Sequence, residues 1–340
     1  MKLPVIGITM GDPAGVGPEI IVKALSDSRI FQICRPVVLG DRGIIARTAQ
    51  ILGSQVQVNT TESITGENYH VGDIRVLNLS ALDPDGVISG KSDERFGKAI
   101  VEYIKTGTRL ALDEEIDALT TAPISKELIN RAGYAYAGHT ELLAQLTNTK
   151  DYAMMLTGKR LRVVLVTTHC RLRDVPSLLD TQRIVTVIEV TNSSLKQYFG
   201  ISEPRIAVAS LNPHAGEGGI FGDEEKAIIV PAIQRAKDTG IGIVGPLPPD
   251  TIFYYAVRGH YDVVVCMYHD QGLIPLKLLN FQRAVNVTLG LPIIRTSVDH
   301  GTAYDIAGSG KANEASLKNA IRLATSMANK RNISRNPAFY

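Results

Sequence analysis

No tryptophan occurs in the 340 residues, and aromatics make up only 6%. A surface that stacks bases needs exposed rings, so a single-stranded nucleic-acid platform is disfavoured. No run of five like charges occurs, and the formal net charge is only +2. That balance argues against nucleic acid or an anionic membrane as a main partner. No apolar stretch reaches the ~18 residues of a candidate membrane span. The opening "MKLPVIGITMGD" lacks an apolar h-region followed by a small-residue cleavage site. The cysteines are three, Cys34, Cys170 and Cys266, without CxxC spacing. So low and odd a count predicts a reducing compartment, the cytoplasm. Both GxGxxG and the P-loop pattern are missing, which argues against the usual dinucleotide fingerprint and against a P-loop triphosphatase.

What is present is an alternation of short apolar runs and amphipathic segments, the α/β signature. Strands are predicted at 5–9, 36–40, 74–79, 117–122, 161–168, 205–211, 261–268 and 285–290. Helices are predicted at 17–26, 92–114, 125–132, 139–147, 180–199, 222–239 and 312–329. Several strands are nearly continuous apolar runs, as in a parallel sheet covered on both faces. Pro18 and Glu19 suit the first turn of the 17–26 helix, and "GDEEKAII" opens 222–239 with acids in its first turn. No Pro/Gly/Ser linker separates two domains. The predicted organisation is therefore one α/β lobe, 1–134 plus 280–340, with a second lobe, 135–279, inserted into it.

The chain has seven histidines, and three of them follow strand-like runs. "LRVVLVTTH" ends at His169, "RIAVASLNPH" at His214 and "DVVVCMYH" at His269. In an open parallel sheet, ligands bind outside the carboxyl ends of the strands. Three imidazoles delivered there can share one divalent metal such as zinc, cobalt, nickel or iron, with positions left open for substrate. A lone histidine at a strand end is more simply a hydrogen-bonded structural residue; the repetition favours a metal or catalytic site. Asp270, beside His269, is a candidate to orient the imidazole, or a cap for the following helix.

Other polar groups stand in glycine-rich or apolar company. "ITMGDPAGVGPEI" reads as a tight strand-to-helix turn, and its Asp12 and Glu19 make it a poor phosphate cradle. "VDHGTAYDIAGSGKANEAS" places His300, Gly301, Gly308, Gly310 and Lys311 where a loop can wrap a nucleotide, His300 against adenine and Lys311 near phosphate. A plain connector has the same pattern. His139 and Thr140 fall at a helix start, where free N–H groups attract anions and where Thr is also an ordinary cap. Lys277, Asn286 and Arg295 lie in apolar surroundings, so each cation needs a substrate anion or a structural carboxylate as partner. Asp250 sits in the stiff turn "PLPPDT".

Taken in order, "GDPAGVGPE", "GHTELLA", "TTHCRLRD", "LNPHAGEGG", "GPLPPDT", "MYHDQG", "GLPIIRTSVDHGTA" and "DIAGSGKA" span nearly the whole chain. They resemble the 4-hydroxythreonine-4-phosphate dehydrogenase family, including its D-threonate and D-erythronate 4-phosphate branch. That family looks like a branch of the isocitrate and isopropylmalate dehydrogenase fold, which carries a similar opening and a glycine-rich nucleotide loop. The resemblance implies two α/β lobes around a cleft, with a mostly parallel sheet. It implies metal ligation by His169, His214 and His269 and substrate contacts from His139, Thr140, Lys277, Asn286 and Arg295. It further implies a homodimer whose active site lies at the subunit interface, one histidine coming from the partner chain.

The expected chemistry is NAD- or NADP-dependent oxidation of a small phosphorylated hydroxy acid, with one divalent metal per site (zinc, magnesium or cobalt). The 3-keto product then loses CO2, and Asp250 or Lys277 serves as base. The expected substrate is 4-hydroxy-L-threonine 4-phosphate, on the way to pyridoxal phosphate; D-threonate or D-erythronate 4-phosphate is the alternative. The loop lacks an arginine cluster for a 2′-phosphate, which favours NAD. Two rivals make different demands. A metal-dependent hydrolase or lyase would not bind nucleotide, and in a non-catalytic sugar-phosphate binder the three histidines would not meet.

Overall fold

The computed structural model describes residues 2–64, 69–134, 136 and 138–335. The chain divides into two compact units, Met1–Thr149 with Leu291–Asn332, and a second built on Lys150–Gly290. Its strands are β1 (Val5–Thr9), β2 (Arg35–Gly40), β3 (Gln57–Thr60), β4 (Asp73–Asn78), β5 (Ala118–Thr121), β6 (Ala153–Thr157), β7 (Arg162–Leu165), β8 (Ile206–Ala209), β9 (Ile243–Leu247), β10 (Val263–Cys266), β11 (Val285–Leu289) and β12 (Arg295–Val298).

The first unit orders its strands β3-β4-β2-β1-β5-β12, all parallel. Every residue of β1 and of β5 is buried, as strands with both faces covered must be. The second unit orders its strands β11-β6-β7-β10-β8-β9. Its β7, β10, β8 and β9 are parallel; β6 runs against them, and β11, antiparallel to β6, shares their direction. The α/β class and the mostly parallel sheet are as the sequence predicts.

The units join at 149/150 and 290/291, whereas the sequence placed the joints at 134/135 and 279/280. Ala135 lies outside the described residues. Two packing choices account for the difference. The helix His139–Leu146 packs with the long helix Arg95–Leu112 of the first unit. β11 pairs with β6 in the second unit, Val285 opposite Thr157.

Four strands escape the apolar pattern. β3 buries only Val58, and β9 is an edge strand interrupted by Gly245 and Pro246. β6 is rich in methionine rather than β-branched residues. β12 is Arg-Thr-Ser-Val yet wholly buried. Its hydroxyls are satisfied: Thr296 Oγ1 donates to the Ala320 carbonyl at 3.0 Å, and Ser297 Oγ to the Thr121 carbonyl at 3.1 Å. No described helix is long and apolar enough to cross a membrane.

Candidate active site

In the second unit β7, β10 and β8 are neighbours and parallel, so their carboxyl ends share one edge. The three ends lead to His169, His269 and His214. Side chains stitch them together. Thr167 Oγ1 donates to the Met267 carbonyl at 2.8 Å, joining the end of β7 to that of β10. Gln271, 6% exposed, accepts from Met267 N at 2.7 Å and donates to the Ser210 carbonyl at 2.6 Å, joining β10 to β8. Glu225, 5% exposed, accepts from the backbone N–H groups of Leu211 and Asn212, both at 2.8 Å, and from Asn212 Nδ2 at 2.9 Å. It thus holds the entry to the His214 loop.

His269 opens the helix His269–Asn280. Its Nδ1 lies 2.7 Å from Asp270 Oδ1, so Asp270 engages the ring and Nε2 is the nitrogen left for a ligand. The rings of His169 and His269 stand 5.4 Å apart between centroids, tilted by 44°. Two imidazoles sharing a tetrahedral metal through ~2 Å bonds would have centroids about 5 Å apart, so this pair suits a common ion. His214 does not join the pair. It lies in a left-handed turn, with φ of 52° at His214, 56° at Ala215 and 43° at Glu217, and its ring stands 6.3 Å from that of Phe221. Non-glycine residues held in this region cost about 1 kcal/mol or more each, a strain that clusters at functional sites. Among the described residues, no three His, Cys, Asp or Glu side chains are grouped to hold a metal ion. The donor set therefore fits in two of its three members.

Asp250, exposed, lies in the first turn of the helix Pro249–Ala256. Lys277 is in the last turn of the helix that His269 begins, its Nζ 5.5 Å from the Phe281 ring centroid. Eight residues of helix place it about 12 Å along the axis from His269. Asn286 lies on β11, opposite Leu156.

The first unit holds a separate cluster. Arg295, 2% exposed at the start of β12, donates from Nη2 to Thr121 Oγ1 at 2.8 Å. Burial lowers the pKa of its guanidinium, and Glu141 opposes that effect. His139 and Thr140 start the helix His139–Leu146, with Thr140 buried. His139 Nε2 is sealed from solvent without a hydrogen-bond partner. Burial, reinforced by the charges of Arg295 and Lys126, lowers the His139 pKa well below its usual range. A neutral imidazole beside two cations favours a bound anion.

His300 and Gly301 follow β12 after Asp299, with His300 Nδ1 3.0 Å from the Gly301 carbonyl. Gly308, Gly310 and Lys311 instead lie in a turn tied to the helix Gly17–Leu25. Lys23 Nζ donates to the Gly310 and Ala312 carbonyls, both at 2.6 Å. Glu19, 2% exposed, accepts from Ala312 N at 3.0 Å and pairs with Lys23 at 3.1 Å. Asp12, fully buried, accepts from Ala14 N at 2.9 Å and from the Tyr304 hydroxyl; burial raises its pKa, and these bonds oppose the rise. The opening motif thus braces the second glycine loop. Gly11 takes φ +74°, and a Cβ there would stand 2.3 Å from the Pro123 carbonyl oxygen.

Three residues of the strand-end network, Thr167, Gln271 and Glu225, carry no chemistry of their own and escaped the sequence reading. Gln271 follows Asp270 in "HDQG", and a polar residue one position past a paired His-Asp is a weak signal. Glu225 falls among the acids at the start of the predicted 222–239 helix. It is buried under the His214 loop rather than facing solvent.

Residues 32–324 match the family described as "Pyridoxal phosphate biosynthetic protein PdxA", and the chain belongs to that family. It is 52% identical over 325 residues to the 4-hydroxythreonine-4-phosphate dehydrogenase of Desulforapulum autotrophicum, covering 96% of each chain. It is 46% identical to the D-threonate 4-phosphate dehydrogenase of Salmonella typhimurium, covering 96% of this chain and all of that one (100%). The crystal structure of a Klebsiella pneumoniae 4-hydroxythreonine-4-phosphate dehydrogenase superposes with a TM-score of 0.89 at 44% identity, covering 96% and 99% of the two chains.

Proposed function

We propose that the chain oxidises 4-hydroxy-L-threonine 4-phosphate, with NAD or NADP, to a 3-keto acid that loses CO2 to give 3-amino-2-oxopropyl phosphate. The observation that carries this reading is the His169–His269 pair at 5.4 Å, at the carboxyl ends of parallel strands, in a chain of this family. His169, His214 and His269 hold a divalent ion, zinc, magnesium or cobalt, with one histidine of each set coming from a second copy of the chain. When bound, the ion supplies Lewis acidity toward the substrate hydroxyl and the nicotinamide accepts the hydride.

The chain's own residues do the rest. Arg295, with Thr140 and neutral His139, takes an anionic group of the substrate; a buried guanidinium gains most from such a partner. Lys277 and Asn286 complete the substrate contacts. Asp250 or Lys277 takes the hydroxyl proton. His300, Gly301, Gly308, Gly310 and Lys311 carry the nucleotide. Ile274, Leu278 and Phe281 are 67%, 85% and 77% exposed and repeat at i, i+4, i+7. This outward apolar stripe on the His269 helix suits a homodimer contact next to the histidines. The three free cysteines agree with the cytoplasm.

The 46% identity to a D-threonate 4-phosphate dehydrogenase supports a second reading, oxidation of that sugar-acid phosphate. NADH or NADPH formation at 340 nm, with metal-loaded protein and both substrates offered separately, tests the two. Turnover of the amino substrate, lost in His269→Ala, is expected. Turnover of D-threonate 4-phosphate alone would replace the first reading with the second, and silence on both would overturn each.

A further inference from the structure

At the other end of the strands that lead to the histidines, the second unit has a basic cavity. Arg162 opens β7, Val263 opens β10 and Arg205 immediately precedes β8. Together with the hairpin turn 158–161 and the helix end at 256–259, they line a half-open cavity of about 360 Å³. Lys159, Arg160, Arg162, Arg205 and Arg258 line it against a single carboxylate, Asp262, giving a net +4. The whole chain carries only +2, so its positive charge is concentrated here.

The walls are fixed. Gly158 N donates to the Leu161 carbonyl at 2.9 Å, and Lys159 N to Asn280 Oδ1 at 3.2 Å. Arg258 is held over the Tyr254 ring, 3.4 Å from its centroid, with Nη1 donating to the Tyr254 carbonyl at 3.1 Å. Arg205 and Asp262 pair at 2.9 Å, which uses up the one local carboxylate. Arg162 donates from Nη1 to the Asp262 carbonyl at 3.1 Å and stands 5.3 Å from the Phe199 ring centroid, while its Nε is sealed without a hydrogen-bond partner. Burial lowers the Arg162 pKa, and Asp262 opposes that effect. A half-buried guanidinium among four further cations is costly unless an anion offsets the repulsion.

We propose that this cavity is a binding site for a small phosphorylated ligand carrying at least two negative charges, remote from the histidines. Forked guanidiniums from separate elements match phosphoryl oxygens, which accept several charge-assisted hydrogen bonds at once. The four residues of β10 alone separate the cavity from the His269 end by about 13 Å, too far for one small ligand to reach both.

The test is isothermal titration of the full-length chain with pyrophosphate. It is done in an Arg295→Met background, so that the buried cation of the first unit does not contribute. One pyrophosphate per chain is expected. The charge-reversing pair Arg160→Glu and Arg258→Glu, both exposed positions, should weaken it by about tenfold or more while leaving the melting temperature in place. Sulfate should compete poorly. No pyrophosphate binding, binding indifferent to the charge reversal, or sulfate binding as tightly as pyrophosphate would each overturn the proposal.

Discussion

The two units present their polar groups by opposite means. In the second, ionisable groups stand at the rim of the sheet, and the buried hydrogen bonds beneath them fix where the strands end. Thr167, Gln271 and Glu225 are neither ligands nor bases, yet they set the spacing of the three histidine-bearing segments. In the first unit several ionisable groups are themselves buried, as Glu225 is in the second. Arg295, Asp12 and Glu19 lie within the structure, and burial shifts the first two toward their neutral forms. A rim needs rigidity below it, and a buried charge needs a partner. The two units should therefore fail differently when altered.

The largest effect is expected at the rim's support. Glu225→Ala would leave the backbone N–H groups of Leu211 and Asn212 without their acceptor. The cost should be about 3 kcal/mol or more in chemical denaturation, because each hydrogen bond to a charged carboxylate is worth about 1.5–3 kcal/mol. Gln271→Leu should follow at about 2–4 kcal/mol, since both its bonds reach buried backbone. Its diagnostic readout is metal content. Stoichiometric metal in a folded Gln271→Leu protein would mean that the β10 and β8 ends need no tie.

Gly11→Ala probes the first unit's frame. A Cβ at φ +74° would sit 2.3 Å from a carbonyl oxygen, so a loss of about 2 kcal/mol or more is expected. Unchanged stability in thermal melts would show that the turn relaxes at little cost. Arg295→Met should divide the units most sharply. A volume-conserving apolar replacement of a buried charge is often neutral or stabilising, so the melting temperature should hold or rise. Turnover of a phosphorylated substrate should fall by about a hundredfold or more. A large drop in stability with unimpaired turnover would make Arg295 a structural residue.

Much of this was legible in the sequence, and for definite reasons. β1, β2, β7, β8 and β10 are dense apolar runs because both faces of the parallel sheet are covered, and the three histidines come shortly after β7, β8 and β10. β12 was illegible because its burial is satisfied by hydroxyl hydrogen bonds rather than apolar side chains. Gln271 and Glu225 were illegible because their partners are backbone groups, 61 residues away for Ser210 and 14 for Leu211, and no local pattern encodes such a bond. The limits of the units were misplaced where a helix packs and a strand pairs across the expected joints. The left-handed turn at His214 was only hinted at by its glycines, since His214, Ala215 and Glu217 share that conformation.

The smallest effect concerns His139 and depends on pH. Its pKa is lowered by burial and by the charges of Arg295 and Lys126, so the folded protein holds the ring neutral where the unfolded chain would take up a proton. Stability is therefore intact above the unfolded value, near 6.5, and is lost as pH falls below it toward the lower folded pKa. One proton changes stability by at most about 1.4 kcal/mol per pH unit in that window. His139→Gln should remove this component, so denaturation curves collected from pH 7.5 down to pH 5 should diverge between wild type and variant. Arg295→Met should narrow the gap by relieving one of the two charges. Parallel curves for wild type and His139→Gln would mean that the folded protein takes up the ring's proton as readily as the unfolded chain does.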